Sequence, residues 1–193
     1  GIAFMHQSSF LHGNLTPSNV LLVGASNTPK LCGFSCACEI EPTVATRMFT
    51  TRGTQGYQPP EIFARKQLSV TEVHDPLAID VFGAGGTLFF ILSNGVEPFS
   101  PQALQQKATI ADAELNVLSG RSGLDEIEAI SAEGRHLLEP MLKASPAERP
   151  TIDTVLKHPL FWSLDEKLAY LCDVGSVLPV RLQKTEHSFI NEL

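Results

Sequence analysis

Eight residues, His12-Gly13-Asn14-Leu15-Thr16-Pro17-Ser18-Asn19, form a polar loop that constrains the fold more than any other stretch of the chain. Before the loop, Ile2, Met5, His6 and Ser9-Phe10 suggest the end of an amphipathic helix. After it, Val20 to Val23 and Lys30 to Cys32 are short apolar runs separated by Gly24-Ala25-Ser26-Asn27-Thr28-Pro29. That separator is turn chemistry, so the two runs predict a small hairpin. Read alone, Asn14 and Asn19 are turn residues, because Asn favours such positions.

The octapeptide resembles the catalytic loop of protein kinases, H-R-D-L-x-x-x-N, in which Asp accepts the substrate hydroxyl proton and Asn holds magnesium. Further stations follow in the family's order. Lys30-Leu31-Cys32-Gly33-Phe34-Ser35 stands where the metal-binding Asp-Phe-Gly follows a short strand. Gly53-Thr54-Gln55-Gly56-Tyr57-Gln58-Pro59-Pro60-Glu61 resembles the end of an activation segment. Asp80-Val81-Phe82-Gly83-Ala84-Gly85 is similar to the start of the buried helix of the C-lobe, and Ser145-Pro146-Ala147-Glu148-Arg149-Pro150-Thr151 to the segment that supplies an Arg partner for the activation-segment Glu.

Lys157-His158-Pro159-Leu160-Phe161-Trp162-Ser163-Leu164, followed by Lys167 to Gly175, resembles the junction between kinase and ribonuclease modules. That junction belongs to the endoplasmic-reticulum stress sensor kinase/endoribonuclease (inositol-requiring) family and its relative ribonuclease L. The resemblance implies a mainly α fold with small β hairpins: a protein-kinase-like C-lobe over 1–160, then the start of a helical ribonuclease (KEN-type) module over 161–193. No glycine-rich loop or strand Lys precedes residue 1, and the chain opens without Met inside a helix, which predicts a fragment lacking the N-lobe.

Composition fits a folded domain: 43% of the 193 residues are hydrophobic and 18% charged. The longest apolar run, Val81 to Leu92, is shorter than the roughly 20 residues of a membrane span and reads as a buried helix. Lys and Arg total 14 against 21 Asp and Glu, so the net charge of −7 gives no general attraction for a polyanion. Cys32, Cys36 and Cys38 cluster, but with no nearby His they lack zinc spacing, and a strand would point Cys36 and Cys38 to the same face as small buried apolar groups. Reduced thiols are the default.

Helices are predicted at about 80–93, 101–108, 131–143 and 152–157, and from Ser163 or Leu164 to Cys172. Ser163 with Glu166 has the form of a capping box. From 39 to 52 the chain is rich in Thr without a clear period, and reads as a mobile activation segment.

Carried onto these positions, the resemblance implies a chain stripped of phosphotransfer. Asn14 replaces the catalytic Asp, and an amide takes no proton near neutral pH. Gly33 replaces the principal metal carboxylate, Thr16 the loop Lys and Gly13 the loop Arg that would clasp an activation-segment phosphate. Asn19 alone remains of the ion-binding pair. No metal site is assigned. Each loss alone would slow the reaction by orders of magnitude.

Other positions take structural or ligand roles by resemblance. His12 packs beneath the active site, Asp80 holds the catalytic-loop backbone from below, and Glu61 with Arg149 forms a buried ion pair. Leu21 matches the floor of the adenine pocket, so ATP or ADP could bind in the parent protein without magnesium. Thr50, Thr51 and Thr54 lie where the family is phosphorylated, with Arg47 and Arg52 close in sequence.

Three readings follow. The first is a scaffold and nucleotide-responsive homodimerisation element for an attached endoribonuclease, partnered by an N-lobe and a ribonuclease module of the parent. RNA is then reached only through residues beyond Leu193, in the cytoplasm or on the cytosolic face of the endoplasmic reticulum if the parent spans it. The second is an ATP-dependent Ser/Thr kinase with residual activity. The third is a non-catalytic interaction fragment.

Overall fold

Helix α1 (Ile2–Gln7) turns through Ser9, at a φ of 60°, into strand β1 (Phe10–Leu11). In the computed structural model, residues 1–40, 53–63, 75–100 and 111–177 are described. The chain divides into two units, Gly1–Leu156 and Lys157–Leu193.

In the first unit, β2 (Val20–Val23) and β3 (Thr28–Leu31) form an antiparallel hairpin with Val20 opposite Leu31 and Val23 opposite Thr28. The predicted second strand therefore starts two residues early. Gly24 and Asn27 supply the positive φ values that reverse the chain, as turn chemistry requires. The polar loop leads into this hairpin through a short 3-10 turn, Pro17–Asn19. Strand β4 (Cys38–Glu39) pairs antiparallel with β1, Leu11 opposite Cys38. Loop and ribbon thus sit on a common helical base.

That base is α2 (Leu77–Leu92), apolar almost all round and buried at nine positions from Ala78 to Phe89, as a core helix must be. It begins at Leu77, with Pro76 at its N-cap, three residues before the predicted start. Gly83 lets the loop approach: a Cβ there would lie 2.9 Å from the Leu15 carbonyl oxygen. Phe82 stacks on Phe99 at 5.4 Å between centroids. Around them pack Phe63, Phe89, Val117, Leu124, Ile130, Leu138 and Leu142.

Helix α3 (Ala111–Leu118) is an element the sequence pattern did not predict. Its apolar residues do not share one buried face: Val117 is buried while Leu115 and Leu118 are exposed, so no helical period is visible. Helix α4 (Ala132–Met141) starts at Ser131, whose hydroxyl accepts from Gly134 N–H at 3.1 Å. Helix α5 (Ile152–Leu156) ends the unit. The helix predicted near 101–108 and the segment at 41–52 lie outside the described residues.

In the second unit, α6 (Leu164–Val177) runs five residues past its predicted end. Its capping box is reciprocal: Glu166 N–H donates to Ser163 Oγ at 3.2 Å, and Ser163 N–H donates to Glu166 Oε2 at 2.7 Å. Trp162 meets Tyr170 edge-on at 5.2 Å and donates from its indole to the Lys157 carbonyl at 2.9 Å. Among the described residues no helix is long and apolar enough to cross a membrane.

Candidate functional site

Asp80 organises the site from its buried position on α2. Its Oδ2 accepts from His12 N–H at 2.8 Å and from His6 Nε2 at 3.0 Å, and its Oδ1 accepts from Gly13 N–H at 2.8 Å. A carboxylate 1% exposed is tolerated because these donors replace its water. His12 is fully buried; its Nδ1 accepts from Asn14 N–H at 3.3 Å, which leaves Nε2–H to donate to the Cys32 carbonyl at 2.9 Å. Its ring lies 5.0 Å from that of Phe34. The backbone N–H and both ring nitrogens of His12 are thus used in architecture.

His6 is a residue of this site that sequence reasoning missed. The available signal was its place in the apolar stripe of α1, because an inward-facing imidazole must find a partner.

Asn14 joins two segments of the chain. Its Oδ1 accepts from Thr54 N–H at 3.0 Å, and its carbonyl accepts from Asn19 Nδ2 at 2.8 Å. Thr16 is buried with its hydroxyl 2.9 Å from that of Ser18, so the loop brings no cation to this place. Gly33 adopts a left-handed conformation, φ 76° and ψ 38°. A Cβ on Gly33 would collide with the whole Asn19 carboxamide, whose Nδ2 lies 2.7 Å from that position. The room a side chain at 33 would need is therefore filled.

The remaining predicted residues are distributed as follows. Glu61 and Arg149 form a two-pronged pair, Nη1 to Oε1 at 2.7 Å and Nη2 to Oε2 at 2.8 Å. Arg149 also donates to the carbonyls of Ala78, Lys143 and Ala144 and lies over the Phe82 ring. Leu21 is half-exposed on β2 opposite Lys30, away from the buried loop contacts. Thr54 is brought to Asn14, while Thr50 and Thr51 lie outside the described residues. Burial, then the charge of Asp80 and the neighbouring Cys36, pushes the Cys38 thiol up, which disfavours its thiolate. Among the described residues no group of three His, Cys, Asp or Glu side chains is placed to hold a metal ion.

Beside the loop lies an apolar groove of about 650 Å³ lined by Phe4, Met5, Phe10, Leu31 and Phe34. A second structural cation was also missed in the sequence. Arg135 on α4 donates to the carbonyls of Leu124, Ile127 and Ile130 and so pins the loop before its own helix.

A helical base beneath a loop of this order, with an Arg–Glu pair tying a crossing segment to it, defines a protein kinase-like fold. The protein kinase domain family matches residues 1–161, and the chain belongs to that family. Its homologues are kinase/endoribonucleases and related kinases. It is 31% identical over 180 residues to serine/threonine-protein kinase/endoribonuclease IRE1b of Arabidopsis thaliana, covering 91% of this chain and 19% of that protein. It is 28% identical over 201 residues to the sensor for unfolded proteins in the ER ire1 of Schizosaccharomyces pombe, covering 91% and 18%. With serine/threonine-protein kinase/endoribonuclease ire-1 of Caenorhabditis elegans it shares 28% over 194 residues, covering 96% and 18%. The chain thus spans less than a fifth of these relatives' length.

The residues present do not fit the magnesium that the kinase fold implies. Position 33 offers no carboxylate, and its space holds the Asn19 amide.

Proposed function

We propose that this chain is a kinase-fold element that no longer transfers phosphate and serves as a scaffold and nucleotide-responsive self-association surface for an attached endoribonuclease. One observation carries the reading: the side chain at the base position, Asn14, is an amide whose oxygen is engaged by Thr54 N–H. An amide there cannot act as general base. The absence of a carboxylate at Gly33 supports the same conclusion.

The attached ribonuclease is supported by the names of the relatives, two of which are called kinase/endoribonucleases. Helix α6, with Leu164, Leu168 and Leu171 exposed at helical spacing, supports a module that continues from the second unit. The exposed rings of Phe4 and Phe34 support cover by an N-lobe in the parent protein. A purine nucleotide, ATP or ADP, would then bind between the lobes over Leu21 without magnesium, and RNA would meet only residues beyond this chain. The compartment is the cytoplasm, or the cytosolic face of the endoplasmic reticulum if the parent carries a membrane span.

Sedimentation velocity of the protein with its native flanking sequence tests the reading. ADP in the presence of a chelator should shift the population from monomer towards dimer. A monomer at every concentration, with and without ADP, contradicts it.

A further inference from the structure

The structure assigns a self-modification site to the C-terminal end of α2, where the Asn94-Gly95 bond converts to an aspartyl or isoaspartyl linkage once the helix cap opens. The assignment is independent of the functional reading and concerns the helix that carries the core.

Asn94 is the one asparagine of the chain followed by glycine; the other five precede Leu15, Val20, Thr28, Val117 and Glu192. Glycine leaves its backbone nitrogen open to the preceding carboxamide, because no Cβ obstructs the approach. The reaction needs only water. Gly95 N loses its proton and bonds to Asn94 Cγ, the Cγ–Nδ2 bond breaks, and ammonia leaves with the proton. Water then opens the cyclic imide at one of its two carbonyls. The product is an aspartate in the ordinary main chain, or a main chain lengthened through the side-chain carbon.

The folded chain holds this reaction back. Ser93 is the C-cap of α2, and the next two residues close a Schellman motif. Asn94 N–H donates to the Ile91 carbonyl at 3.3 Å, and Gly95 N–H to the Phe90 carbonyl at 2.8 Å. The attacking nitrogen is therefore committed as a donor. Asn94 is exposed and left-handed, at a φ of 58°, and Gly95 follows at 97°. Ser93 pins the turn: its Oγ accepts from Val96 N–H at 3.1 Å and donates to the Val96 carbonyl at 3.0 Å.

Ring closure must break the Gly95 bond, so it proceeds from the opened cap. The product recloses the cap poorly. Its new carboxylate stands at the negative end of the helix dipole, with Glu97 close in sequence, and the lengthened linkage no longer places Gly95 N–H at the Phe90 carbonyl. Phe99, just beyond, stacks on Phe82 in the core, so the change reaches the packing around α2. Conversion thus records opening of the helix end irreversibly.

Peptide mass spectrometry of the full chain, incubated at neutral pH with and without denaturing urea, follows the change from amide to acid at each asparagine. In urea, Asn94 should convert first. In buffer its rate should be about thirtyfold lower, the effect of having to open two hydrogen bonds of ordinary net strength. Ser93→Ala should raise the buffer rate about fivefold and leave the urea rate unchanged. Asn94→Gly suits the left-handed position, so it should stay folded and lose the site. Its urea midpoint should hold on incubation, while that of the unaltered protein falls with the converted fraction. Equal rates in buffer and urea, or a Ser93→Ala rate equal to that of the unaltered protein in buffer, overturn the gate. Conversion of another asparagine ahead of Asn94 in urea overturns the site, and a midpoint that stays constant as acid accumulates overturns the effect on α2.

Discussion

Arg149 and Glu61 meet in a fork, two N–H···O bonds of 2.7 and 2.8 Å between residues that lie 88 positions apart in the chain. The Arg side chain is fully buried and that of Glu61 is 16% exposed, so neither charge can be left alone cheaply. Glu61→Gln should therefore destabilise the first unit by about 3–5 kcal/mol in urea denaturation. Arg149→Met should cost more than Glu61→Gln, because it also abandons the carbonyls of Ala78, Lys143 and Ala144. Arg149→Lys should not rescue, since an ammonium cannot reproduce the fork. Equal stability for Glu61→Gln and the unaltered protein would mean that the pair contributes nothing.

Asp80→Asn is isosteric and should still be strongly destabilising. The carboxylate accepts from donors on both oxygens, and an amide replaces one oxygen with a further donor. Each N–H left facing that group should cost about 1–3 kcal/mol. Urea unfolding followed by tryptophan-independent circular dichroism measures it, and a midpoint unchanged from the parent would contradict the hub.

Gly83→Ala sets helix propensity against packing. Ala in a helix interior gains about 1 kcal/mol over Gly, yet the new Cβ would stand 2.9 Å from the Leu15 carbonyl oxygen and 3.0 Å from Leu15 Cβ. Backbone cannot move aside as a flexible side chain can, so overpacking of about 1–3 kcal/mol should win. The melting temperature should fall; a rise would show that the loop stands further from α2.

Glu166 gives the second unit a pH signature. Hydrogen bonds from the Ser163 N–H and hydroxyl hold its carboxyl below the usual range. A depressed folded value means that the cap's contribution is present above about pH 4.3, the ordinary Glu value, and is lost as pH falls through the lowered one. Ser163→Ala removes the hydroxyl donor, so an NMR titration should find the Glu166 midpoint moved upward. A midpoint indifferent to the substitution would show that the box does not close in solution.

Much of this was readable before any coordinates. The order of motifs located the loop, the hairpin, α2 and the Arg149 segment, because each depends on local residue types such as the turn formers at 24–29 and the apolar run at 81–92. What escaped depends on partners distant in sequence. Helix α3 has no visible period because its burial is set by the loop beneath it, including the bond from Asn116 Nδ2 to the Phe99 carbonyl. His6 acts on Asp80 and is marked locally only by its place in the apolar stripe of α1, while Arg135 acts on three carbonyls and nothing local distinguishes it from a surface residue. Loss of a carboxylate at Gly33 was legible, whereas the filling of its space by Asn19 was not, because that requires two segments to be brought together.

The central claim is that the fold persists without phosphotransfer, and the most direct measurement is transfer of the γ-phosphate of labelled ATP by protein isolated from its source with flanking sequence intact. With magnesium present, the account predicts no label on the protein itself or on added protein substrates above a protein-free background. Incorporation that Asn14→Ala abolishes, with the variant still folded, would contradict it.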